Sequence, residues 1–156
     1  MNKETQSIIR NLQNILSGEP WFGRPIYSLL EEVDTSKVYT KPNKNSHSLA
    51  ELLYHLITWA EFTLKSLERA GEDEVRAIEK LDWRKIDTTV HTWEKGLNEL
   101  KSVHEKIMIV IKDKSDEFLS EKVEFRKYNF RVLLNGLIQH NIYHIGQIAY
   151  VKKLLS

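Results

Sequence analysis

The chain contains no cysteine. A disulfide framework, a thiolate metal site and a cysteine nucleophile are therefore excluded within this sequence, and any sulfur chemistry requires an outside thiol. Prolines number three and glycines six in 156 residues, so few positions force a helix to stop. Net charge is nearly absent too, since 23 Lys and Arg stand against 22 Asp and Glu for a formal +1. No global field then draws in nucleic acid or an anionic membrane, and neither is expected as a partner. No apolar run approaches bilayer-spanning length, and Met1 to Gln6 leads into an amphipathic stretch rather than a signal core. These absences describe a soluble, cytoplasmic protein forming one domain, residues 1–156, large enough to bury a core unaided.

What the sequence does have is helical periodicity. Ile8, Ile9, Leu12, Ile15 and Leu16 make a first apolar stripe ending at Ser17-Gly18, where glycine can take the left-handed conformation that closes a helix. The stripe resumes through Trp21, Phe22, Ile26, Leu29, Leu30 and Val33, with Pro25 marking a fresh first turn or a kink. Asp34 to Ser46 reads as a polar surface connection. Ser48-Leu49-Ala50-Glu51 matches a capping box and opens a second helix to about Ala70-Gly71. On its wheel His55, Leu52, Trp59 and Phe62 share the apolar sector, while Tyr54, Glu61, Lys65 and Glu68 fall opposite.

Gly71 to Asp87 is a long charged connection with a solvated acidic run, Glu72-Asp73-Glu74, and a short helical turn around Glu74 to Leu81. Its length permits a crossover in which neighbouring long helices run the same way. A third helix, about Thr88 to Lys112, repeats Val90, Trp93, Leu97, Leu100, His104, Ile107 and Ile111. Asp113 to Asn129 is polar, with a brief alternation at Val123 to Arg126 that reads as extended, and the fourth helix spans about Phe130 to Leu154. The fold class is all-α, built on four long helices.

Histidines interrupt the buried stripes. His140 and His144 are four residues apart on the fourth helix, so both rings leave one face about a turn apart, in the sector of Leu133, Leu137 and Ile148. Burying them without partners costs on the order of a few kcal/mol, so something must satisfy their nitrogens. Two such imidazoles can approach one ion, and an inward histidine from another helix completes a three-nitrogen face with coordination positions left open. His55 supplies that third ring; His104, also on a core stripe, is a rival ligand or a core histidine bonded to a neighbour. Zinc and nickel suit such donors. His47, at a helix entrance, and His91, off the stripe, read as solvated or capping. Trp59 and Trp93 belong to the core, Trp59 with the option of walling a pocket, and Gln147 and Tyr143 flank the histidines. Walker-type loops, dinucleotide fingerprints, nucleophile elbows and the zinc-protease HExxH are missing.

Two segments together resemble a known family: Ser46-His47-Ser48-Leu49-Ala50-Glu51-Leu52-Leu53-Tyr54-His55, and Leu137-Ile138-Gln139-His140-Asn141-Ile142-Tyr143-His144-Ile145-Gly146-Gln147-Ile148. They look like the DinB/YfiT-like superfamily, and with the Trp21 region the likeness covers nearly the whole chain. The resemblance implies a four-helix bundle of up-down-down-up topology and a divalent metal held by His55, His140 and His144, with His104 outside the first shell. Some relatives transfer or isomerise with low-molecular-weight thiols such as bacillithiol or mycothiol. It therefore implies a thiol-dependent transferase acting on a small-molecule substrate. A hydrolase using bound water at the same site and a non-catalytic metal- or ligand-binding bundle are the alternatives. Many relatives are dimers, and Tyr143 and Tyr150 on the outer side of the last helix suit a homodimer interface.

Overall fold

The apolar stripes become six helices in the computed structural model, which describes residues 2–156. They are α1 (Lys3–Ser17), α2 (Ile26–Glu31), α3 (Leu49–Leu67), α4 (Glu72–Glu79), α5 (Trp93–Lys112) and α6 (Phe130–Leu155). Short 3-10 turns occupy Thr35–Lys37 and Asp116–Ser120. Among the described residues no β-strand forms; Val123 to Arg126 is a turn closed by one antiparallel bridge, Lys122 to Asn129. None of these helices is long and apolar enough to cross a membrane.

The capping box forms as its sequence dictates. Ser48 Oγ accepts from Glu51 N at 3.1 Å, and Glu51 Oε2 accepts from Ser48 N at 2.7 Å. Caps of this kind contribute about 1 kcal/mol and here fix where α3 begins, hence the height of His55 in the core. α3 is the central element, packed on α5, α6 and α4. It is buried nearly all round, and this corrects the placement of Tyr54 on an outer face. Tyr54 is 2% exposed and its hydroxyl donates to the Thr92 carbonyl at 3.0 Å. A wheel assumes one solvent side, and α3 has almost none.

Other boundaries shift for local reasons. α5 starts at Trp93 rather than Thr88 because the Thr92 hydroxyl caps it, accepting from Lys95 N, and this leaves Val90 exposed. Pro25 does open a fresh helix, α2, but Trp21 and Phe22 precede it in turns and are exposed rather than on a stripe. Glu72, Asp73 and Glu74 form the first turn of α4 instead of a loop, where carboxylates complement the unsatisfied N–H groups. Gly18 follows α1 as expected but is not left-handed; a Cβ there would sit 2.5 Å from Asn14 Oδ1, so close approach demands the glycine. Gly96 is a second close approach, since a Cβ would lie 2.9 Å from both Leu53 Cδ2 and Tyr54 Cε2. It lets α5 press against α3.

Candidate metal centre

His140 and His144 project from one face of α6, and His55 meets them from α3. His55 Nε2 lies 2.9 Å from His144 Nε2 and 3.0 Å from His140 Nε2. One nitrogen from each of the three falls within 4.8 Å of the others. The three histidines are thus positioned to bind a metal ion.

Their outer nitrogens decide what these short separations mean. His55 Nδ1 is 2.5 Å from Asp82 Oδ1, and a carboxylate only accepts. The proton therefore sits on His55 Nδ1, and Nε2 carries a lone pair. His144 Nδ1 likewise faces the Gln147 carbonyl oxygen at 2.5 Å, which bares its Nε2. Two lone pairs facing at 2.9 Å cannot hydrogen-bond; they repel unless an electrophile lies between them. A divalent cation fits this donor set chemically, with neutral imidazoles presented as ligands and their tautomers fixed from behind.

Burial keeps the rings neutral. His140 is pushed down to about 4, chiefly by desolvation and then by His144 and His55. His55 is lowered by burial and by His144, with Asp82 opposing, and His144 is lowered by burial against the pull of Gln147 and Asp82. His140 differs from its partners in having a buried Nδ1 without any hydrogen-bond acceptor.

The connection between α4 and α5 delivers residues that pattern reading did not find. Asp82 takes a second hydrogen bond, from Trp59 Nε1 at 3.2 Å. Trp83 is sandwiched between His55 and His47, with centroids 3.9 and 3.8 Å away and planes within 10° and 9°. Arg84 anchors the turn by donating to Thr58 Oγ1 at 2.8 Å. Trp83 has φ of 49°, a left-handed backbone that a bulky side chain adopts only under tertiary constraint. The only available signal was an acid followed by tryptophan in an otherwise polar link. His47, read as solvated or capping, is exposed and lies 3.8 Å from Glu51 of the capping box, and it also forms the outer ring of this stack.

His104 stands apart. It is fully buried, with Nδ1 2.9 Å from the Tyr27 hydroxyl and Nε2 3.1 Å from Asn141 Nδ2. Burial alone drives it down to about 3. It is a neutral core histidine, outside the cluster of three. His91 Nδ1 accepts from Asp87 N at 2.8 Å and closes a turn.

Comparison with known proteins agrees with this architecture. The family model described as the DinB superfamily matches residues 25–148. No curated protein sequence matches the chain. Among solved structures it is similar to the colibactin self-resistance protein ClbS, determined in complex with a dsDNA, at a TM-score of 0.70 and 18% identity over 97% of each chain. At that identity the likeness shows the fold. It also overturns the expectation of no nucleic-acid partner, because a protein of this fold has been solved on DNA. A net charge near zero sums over the whole surface and excludes nothing about how that charge is distributed.

Proposed function

The chain belongs to the DinB superfamily, and on that premise we propose that it is a metal-dependent enzyme whose His55, His140 and His144 hold a zinc or nickel ion. The observation carrying this reading is the convergence of three Nε2 atoms, that of His55 lying 2.9 Å from His144 and 3.0 Å from His140, while the Nδ1 atoms of His55 and His144 are engaged by acceptors. An ion held there supplies Lewis acidity and lowers the pKa of a thiol or water at its open positions. Asp82 and Gln147 hold the His55 and His144 tautomers, Trp83 covers one face of His55, and burial keeps all three rings unprotonated at neutral pH.

Without a cysteine in the chain, the nucleophile for a transfer reaction is an external low-molecular-weight thiol. Its sulfur bonds to an electrophilic carbon of a small molecule, the leaving group departs with its electron pair, and the thiol proton passes to solvent. Hydrolysis at the same three histidines is the runner-up. A single domain, an up-down-down-up order of the four long helices, a cytoplasmic setting and a homodimer complete the proposal.

Elemental analysis of protein purified without an affinity tag tests the centre. Zinc or nickel should be bound by wild type and lost in His55→Ala, His140→Ala and His144→Ala; equal metal content in all four proteins overturns the assignment. Turnover separates enzyme from binder, since the loaded protein should couple thiols to reactive electrophiles and His140→Ala should not. A duplex-binding assay belongs beside that panel, given the DNA in the ClbS structure.

A further inference from the structure

Beside the histidines lies a cavity for which metal ligation supplies no use. Trp59 and Phe62 of α3, Tyr128 of the loop before α6, and Leu133 and Gly136 of α6 line about 220 Å³, and His140 forms part of the wall. No charged side chain contributes to it. The Thr63 hydroxyl at its edge is already committed, donating to the Trp59 carbonyl at 2.8 Å. A guest therefore meets mainly apolar and aromatic side chains, with His140 at the wall.

Size narrows the guest. An apolar cavity of roughly 150 Å³ holds benzene, whereas sites for drug-sized ligands begin near 300 Å³. About 220 Å³ accommodates one ring with a small substituent. Gly136 gives independent support: a glycine in mid-helix weakens the helix, yet a Cβ here would meet nothing within 4 Å. Unlike Gly96, it is not required by close packing. What its missing side chain does is leave the cavity open.

We propose that this cavity is the subsite for an uncharged single ring, or an equally compact apolar group, of the substrate, so that the rest of the molecule reaches the three histidines. The inference rests on the metal-centre reading and is tested by binding rather than turnover. Zinc-loaded protein is titrated with benzyl alcohol while the amide resonances of Gly136 and Leu137 are followed by NMR. Saturable shifts are expected at both. Gly136→Leu, which fills the space, should weaken binding roughly tenfold or more, as should Val132→Trp, an occluding change one turn earlier on the same wall, where Val132 also lines the cavity. Benzoate and 1-naphthalenemethanol should bind about tenfold more weakly than benzyl alcohol, the first for its charge and the second for its size.

With cobalt(II) in place of zinc, the ring protons of bound benzyl alcohol should broaden, and Gly136→Leu should abolish the broadening. Absence of shifts at Gly136, unchanged affinity in both occluding variants, or shifts without cobalt broadening each overturn the subsite. Uptake of neither ion, with the Gly136 shifts retained, instead refutes the metal-centre reading and the placement of substrate beside it.

Discussion

Asp82→Ala should weaken metal binding without weakening the fold. Asp82 accepts from His55 Nδ1 at 2.5 Å and from Trp59 Nε1 at 3.2 Å, with 29% of its side chain exposed. Losing a partner behind a metal-bound histidine costs roughly 10–100-fold in affinity, or about 1.4–2.7 kcal/mol. The upper part of that range applies here, because the substitution removes both the tautomer lock and a negative charge next to the ion. Asp82→Asn keeps an acceptor oxygen and should lose about tenfold; Gln147→Ala, behind His144, removes only a neutral acceptor and should lose less than Asp82→Ala. The metal-free protein should respond differently. Once Asp82 is gone, the His55 proton can move to Nε2 and donate to His144 Nε2 at 2.9 Å, replacing lone-pair repulsion by a hydrogen bond. Competition against a chromophoric chelator measures affinity, and thermal melting of the stripped protein measures stability. An Asp82→Ala affinity within about threefold of wild type would refute the tautomer argument. So would a larger loss for Gln147→Ala.

Acid should destabilise the fold through His104. Its pKa falls from an ordinary 6.5 to about 3 on burial, so the unfolded chain binds its proton first and stability drops as pH falls through that interval, by up to about 5 kcal/mol. Wild type should therefore lose more stability than His104→Gln between pH 7 and 4.5 in chemical denaturation; parallel losses would contradict this. Gly96→Ala should lower stability by about 1 kcal/mol despite better helix propensity, because its Cβ meets Leu53 and Tyr54 at 2.9 Å, and an unchanged melting temperature would show that α5 can retreat. Tyr143 and Tyr150 are 67% and 65% exposed on a face of α6 that has no Lys, Arg, Asp or Glu from Val132 to Val151. Light scattering should find a dimer for wild type and a monomer for Tyr150→Glu, and a monomeric wild type would remove that interface.

The three histidines were legible because each sits on a long helix. A period of 3.6 residues fixes which face a side chain leaves, and the apolar neighbours of His55, His140 and His144 say that this face is inward. The capping box was legible for the same reason, being local chemistry over four residues. The same wheel failed for Tyr54, where α3 has neighbours on nearly every side, and for Val90, where the Thr92 cap delays the helix. Asp82 and Trp83 lie beyond any periodic argument. Their positions follow from a turn after α4, held by Leu81 N to Ile78 O at 2.9 Å, by Asp82 N to Glu79 O at 3.0 Å and by Arg84 on Thr58. Helical pattern therefore specifies which nitrogens converge and places Gln147 behind His144, whereas an irregular link specifies the tautomer of His55. A chain with the same three histidines but no acceptor at position 82 would keep the cluster and lose the fixed lone pair on His55. In this chain the convergence of the three rings and the basicity of His55 are separable properties, and the link between α4 and α5 governs the second.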